Sequence, residues 1–79
     1  MHIDNLVHMA NRIGEFFQAM PDRDEARREI AQHLRKFWEP RMRRALLEHV
    51  DDAGDAGLLE IVRDAVRQHR ETLMPSSLA

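Results

Sequence analysis

Five histidines are the first side chains in this sequence whose type and spacing could do chemistry. His8 follows Asp4 by four positions and His33 follows Glu29 by four, a separation that sets two metal ligands on one helical face. Each pair offers only two ligands, and no third or fourth falls at a helical spacing from either. The ordinary reading therefore places His33 and His49 at the margins of a core and the other histidines in solvent. Acid–base work needs two carboxylates in a cleft that separates their pKa values, and a chain this small has little room for one. The acidic residues instead fall mostly at helix starts or in a loop, where they cap and solubilise. No glycine-rich phosphate loop and no Ser/His/Asp set is present, so no catalytic residues are assigned.

The group that invites a binding argument is Lys36-Phe37-Trp38-Glu39-Pro40-Arg41-Met42-Arg43-Arg44, which holds the single tryptophan, a proline and four basic side chains. Arg41 and Arg44 are three apart on a helix, with Arg43 on an adjoining face, so their guanidinium groups can converge on carboxylates or phosphates. A solvated basic face is the plain alternative. Arginine is enriched at interface cores, however, and Phe37, Trp38 and Met42 beside it are residue types typical of protein contacts. Trp38 also competes for a second role, as the keystone of the core.

These residues must be positioned by helices. Over residues 3–20 the apolar side chains Ile3, Leu6, Val7, Ala10, Ile13, Phe17 and Met20 recur at spacings of three and four, the period of one helical face. Met9 and Phe16, seven apart, trace a narrower apolar line beside that stripe. Gly14 weakens the helix by about 1 kcal/mol relative to alanine, which implies that something approaches closely there. A second contact face explains both features, so Gly14 and Phe16 join Trp38, Arg41, Met42, Arg43 and Arg44 as candidate partner-binding residues.

Pro21 closes the first helix, and Asp22 with Glu25 three residues later starts the second in the manner of a capping box. Ala26, Ile30, Leu34 and Phe37 form its inner line, Ala31 and Trp38 widen it, and Asp24 and Arg28 make an i,i+4 pair. Pro40 ends this helix and suits the first position of the next. That third helix is expected over residues 40–50, with Met42, Ala45, Leu46 and Val50 inward. Residues 51–57, acidic and containing Gly54 and Gly57, read as a loop. A fourth helix over residues 58–73 faces Leu58, Leu59, Val62, Ala65 and Val66 inward, and residues 74–79 have no pattern to hold them. The fold expected is all-α: one domain over residues 1–73, a small bundle of about four helices joined by short loops, with a flexible tail at 74–79.

Composition narrows the function. At 79 residues there is no space for a dinucleotide fold or a substrate domain beside the core, so the chain by itself is not expected to be an enzyme. The absence of cysteine excludes disulfides, iron–sulfur ligation and thiol chemistry. Twelve basic against fourteen acidic residues, a net charge of −2, argue against a nucleic-acid binder, as does the lack of base-reading amides on the arginine-rich helix. No segment reads as a secretory signal or a membrane span, which makes the cytoplasm the expected location. A core of this size rarely supplies more than roughly 3–5 kcal/mol, so another protein is the natural source of further stability.

The Lys36 to Arg44 run, paired with the earlier run Met9-Ala10-Asn11-Arg12-Ile13-Gly14-Glu15-Phe16-Phe17, resembles the two signatures of a known family. It is the small delta subunit of the soluble NAD-dependent, molybdenum-containing formate dehydrogenases, and the likeness extends over roughly residues 6–66. One departure is Glu39, where the family often has aspartate; glutamate is the poorer N-cap. The resemblance implies a non-catalytic accessory subunit that binds and stabilises the large catalytic alpha subunit, within a complex that also has beta and gamma subunits. It implies that the molybdenum bis-pterin dinucleotide, the iron–sulfur clusters, FMN and NAD all belong to those other subunits, leaving this chain with no cofactor or metal of its own. The alternative within the same resemblance is a dissociable maturation chaperone for molybdenum cofactor loading, which would be enriched on the cofactor-free enzyme.

Overall fold

Asp22 sets the orientation of the chain's central helix. In the computed structural model, which describes residues 2–53 and 57–75, Asp22 lies in an extended conformation and its Oδ1 accepts the backbone N–H groups of Asp24 and Glu25 at 3.0 and 3.1 Å. Two of the donors that a helix start leaves unpaired are thereby satisfied, and α2 runs from there as Arg23–Phe37. Before it, α1 spans Ile3–Phe17, and His2 caps it by accepting from the Asp4 N–H through Nδ1 at 3.2 Å. This helix stops three residues short of the expected boundary, because a turn from Met20 N–H to the Phe17 carbonyl at 3.0 Å already bends the chain towards Pro21.

Pro40 opens α3, Pro40–Ala53, so the acidic residues Asp51 and Asp52 belong to a helix and not to the loop expected there. Residues 54–56 of that expected loop lie outside the described residues. The expected fourth helix is divided. It begins as α4, Glu60–Gln68, breaks at His69 where φ is −109° and ψ is 32°, and resumes as α5, Arg70–Leu73. Neither glycine nor proline marks that break, and tertiary contacts account for it. Arg70 donates two bonds of 2.7 Å to the Asp51 carboxylate on α3, which holds the guanidinium in its charged form with a raised pKa, and Leu73 is buried. His69 itself is half-buried with its Nε2 covered, where solvent exposure was expected.

The all-α architecture is the one the sequence predicts, with five helices and no strand among the described residues. Helix α2 touches α1, α4 and α5, and its stripe Ala26, Ile30, Leu34 and Trp38 repeats at four-residue steps through the core. Phe37 was expected on that stripe but is 64% exposed. Following Leu34 by four residues keeps a side chain nearer its azimuth than following it by three, so Trp38 takes the inward place and Phe37 turns out. The expected Asp24 pair is also corrected: its partner is Arg27, one turn away, and Arg27 Nε reaches Gln68 Oε1 of α4 at 2.9 Å. Full burial of Ile30, Leu34, Leu46 and Leu73 contributes about 1.5–3 kcal/mol per side chain.

Candidate functional site

The two sequence runs that promised a binding surface do much of their work inside the molecule. On α1, Gly14 is buried, and a Cβ placed on it would stand 2.4 Å from Cγ2 of Val62 and 3.4 Å from Cδ1 of Leu59. The close approach at Gly14 is therefore made by α4 of the same chain. One turn earlier, the Asn11 side chain donates to the Gly57 carbonyl at 2.8 Å and accepts from the Leu59 N–H at 2.9 Å. Gly57 has φ of +80°, a left-handed conformation that glycine adopts without penalty. Asn11 and Gly14 together seat the segment that leads into α4.

The second run does the same for α5. Trp38 is only 6% exposed, packed in the core where α2 ends. Arg43 is likewise 6% exposed, and its Nη1 donates to the Leu73 carbonyl at 3.2 Å. The spacing of Arg43, Leu46, Leu47 and Val50 explains this: positions i, i+3, i+4 and i+7 share one helical face, and that face is the buried one. The three arginines consequently do not form one fan. Arg41 and Arg44 stay exposed, lining a shallow concavity with Glu39 and Pro40, while Met42 is half-buried against the core.

An aromatic row also remains open to a partner. Phe16, at 74% exposure, stacks edge-on against Phe17 with centroids 4.9 Å apart. Phe17 meets His33 at 6.3 Å, and His33 meets the exposed Phe37 at 4.7 Å. A continuous strip Phe16–Phe17–His33–Phe37 thus crosses from the last turn of α1 to the last turns of α2. Arg12 and Ile13 join Phe16, Phe17 and His33 around a groove of about 380 Å³, and the Lys36 ammonium lies 5.5 Å from the Phe37 ring centroid. Met9, 41% exposed, continues the line two turns before Phe16. The strip is apolar, and its edge carries Arg12, Lys36 and Glu29. Phe37 is a contact residue type that periodicity puts on the inner line of α2, and the sequence places His33 at the core margin, because an i+3 step and a histidine both look like core margin.

The histidines do not assemble with carboxylates into a metal site: among the described residues no group of three or more His, Cys, Asp or Glu side chains converges. No helix among those residues is long and apolar enough to cross a membrane. No curated protein and no solved structure matches the chain. A family profile does, that of the NADH-dependent formate dehydrogenase delta subunit FdsD, over residues 5–66, a span that includes Asn11, Gly14, Phe16, the Trp38 to Arg44 corner and most of α4. The chain therefore belongs to the FdsD family of formate dehydrogenase delta subunits.

Proposed function

We propose that this delta subunit is a non-catalytic accessory chain that docks on the large alpha subunit of a cytoplasmic, NAD-dependent molybdenum formate dehydrogenase. The observation that carries the reading is the Phe16–Phe17–His33–Phe37 strip, with two phenylalanines more than 60% exposed on one face. Single exposed apolar residues are ordinary on a protein surface; a joined aromatic row is the composition of an interface core. Arg12, Lys36 and Glu29 border it, two cations against one carboxylate, so the complementary surface is apolar with a polar edge in which acidic residues meet Arg12 and Lys36. Arg41 and Arg44, exposed on α3 beside Glu39 and Pro40, form a separate basic patch.

The donor chemistry of the chain does not fit the redox groups of such an enzyme. With no cysteine it offers no iron–sulfur ligand, and its described residues bring no three metal ligands together. The molybdenum bis-pterin dinucleotide, iron–sulfur clusters, FMN and NAD belong in this reading to the alpha subunit and to the beta and gamma subunits assembled with it. Binding alone is the contribution of this chain, and binding to a folded state stabilises that state by mass action.

Replacing Phe16 and Phe37 together by serine tests the assignment. Both side chains are exposed, so the free chain keeps its helical circular dichroism and loses no more than about 0.5 kcal/mol of stability. Retention on the tagged alpha subunit falls at least tenfold, which is about 1.4 kcal/mol. Full one-to-one co-purification of the double variant would remove the strip from consideration. Enrichment of the wild-type chain on cofactor-free enzyme, with loss from the loaded form, would instead make it a dissociable chaperone.

A further inference from the structure

On the side of the molecule where α2, α3 and α5 meet, a cleft of about 450 Å³ is lined by Arg35, Arg43, Glu71, Thr72 and Pro75 among others. We infer that this cleft is a binding site for an oxyanion, a carboxylate or a phosphate group, held by Arg43 with Arg35 beside it. The inference concerns a different face from the aromatic strip and does not depend on the docking role proposed for that strip.

Three observations carry it. Arg43 is more than nine-tenths buried, yet among the described residues its Nε–H has no acceptor, and its guanidinium bonds there through Nη1 to the Leu73 carbonyl. A neutral carbonyl does not balance a buried positive charge, and a buried ion without a counter-ion is costly. The second observation is Arg35. It adds a like charge where a structural role would call for an opposite one, and among the described residues neither arginine makes an ion pair with a carboxylate. Burial, and then the proximity of Arg35, lower the pKa of Arg43, as expected of a cation held where its charge is not compensated.

The third observation is geometric. The bond to Leu73 fixes the guanidinium through Nη1, and Arg43 lines the cleft together with Arg35, so an oxyanion in the cleft stands against two guanidinium-bearing side chains. Thr72 on the cleft wall offers a hydroxyl donor. Glu71 also lines the cleft without pairing with either arginine, so the net charge of these lining groups is positive. An incoming oxyanion would offset the charge of both cations at once.

The test follows arginine side-chain Nε–H resonances of the ¹⁵N-labelled full chain at constant ionic strength, as chloride is exchanged for inorganic phosphate or for acetate. The resonance absent from Arg43→Lys identifies Arg43. Saturable movement of that signal in either anion supports the site: a response to phosphate alone assigns a phosphate group, and a response to acetate assigns a carboxylate. Arg35→Gln, an exposed substitution that leaves the fold intact, should weaken the response at least fivefold even if Arg43→Lys proves too unstable to study. No saturable shift in either anion, or an equal shift in Arg35→Gln, overturns the inference. A wild-type chain that is silent while Glu71→Gln responds would show that Glu71 already occupies the cleft, which also overturns an external ligand.

Discussion

Gly14→Ala is the sharpest probe of how the molecule is held together, because two known effects oppose each other and the structure decides between them. Alanine inside a helix is favoured over glycine by about 0.8–1.0 kcal/mol, so on α1 alone the change should stabilise. The new Cβ, however, would stand 2.4 Å from Cγ2 of Val62, well inside contact distance. Val62 is fully buried, and a valine in a helix has one strongly preferred rotamer, so its methyl cannot simply swing away. Relief must come from separating α1 and α4, and overpacking of this kind costs about 1–3 kcal/mol. The net effect is a loss of about 1 kcal/mol, which in a domain this size lowers Tm by about 4–8 °C. Thermal unfolding followed by circular dichroism reads it directly. Adding Val62→Ala should make the glycine replacement favourable in that background, since the obstructing methyl is gone. A single variant with Tm equal to or above wild type would refute the reasoning, because it would mean that α1 and α4 do not meet at Gly14.

Other outcomes follow from the same contacts. Trp38→Ala removes a core side chain and should cost about 3–5 kcal/mol, enough to leave the isolated chain largely unfolded in a denaturant titration. Asn11→Ala leaves the Leu59 N–H and the Gly57 carbonyl without their partner; a loss of about 1–3 kcal/mol is expected, with hydrogen exchange rising first at the start of α4. Arg41→Ala with Arg44→Ala should leave the free chain within about 0.5 kcal/mol of wild type, because both side chains are exposed. The same pair should shorten residence on the alpha subunit at low salt, and unchanged retention across a salt series would remove these arginines from the interface.

The two sequence runs gain a physical meaning from these placements. Asn11 and Gly14 seat the start of α4, while Trp38 packs the core and Arg43 holds the end of α5. Much of what is distinctive in the two runs therefore keeps the carboxy-terminal helices on the first two, and the same helices display Phe16 and Phe37 outward. Interior packing and outer surface are two faces of one short stretch. On the proposed docking role, loss of either should weaken assembly, one by unfolding the platform and the other by removing the contact.

The helices and most of the core were legible in the sequence because they depend on local order. Apolar residues three and four apart, Asp22 before a helical run and Pro40 at a corner act over one or two turns, and helix formation follows from such neighbours. What tertiary structure alone decided was which polar or aromatic side chain takes the inner position when two adjacent ones compete. Arg43 lies on an inward stripe that its charge would disguise, and it is buried because the Leu73 carbonyl comes to meet it from thirty residues away. Phe37 is turned out because Trp38 fills the inward place, and the break at His69 is fixed by Arg70 reaching Asp51 on another helix. Each depends on a contact distant in sequence, where periodicity carries no signal.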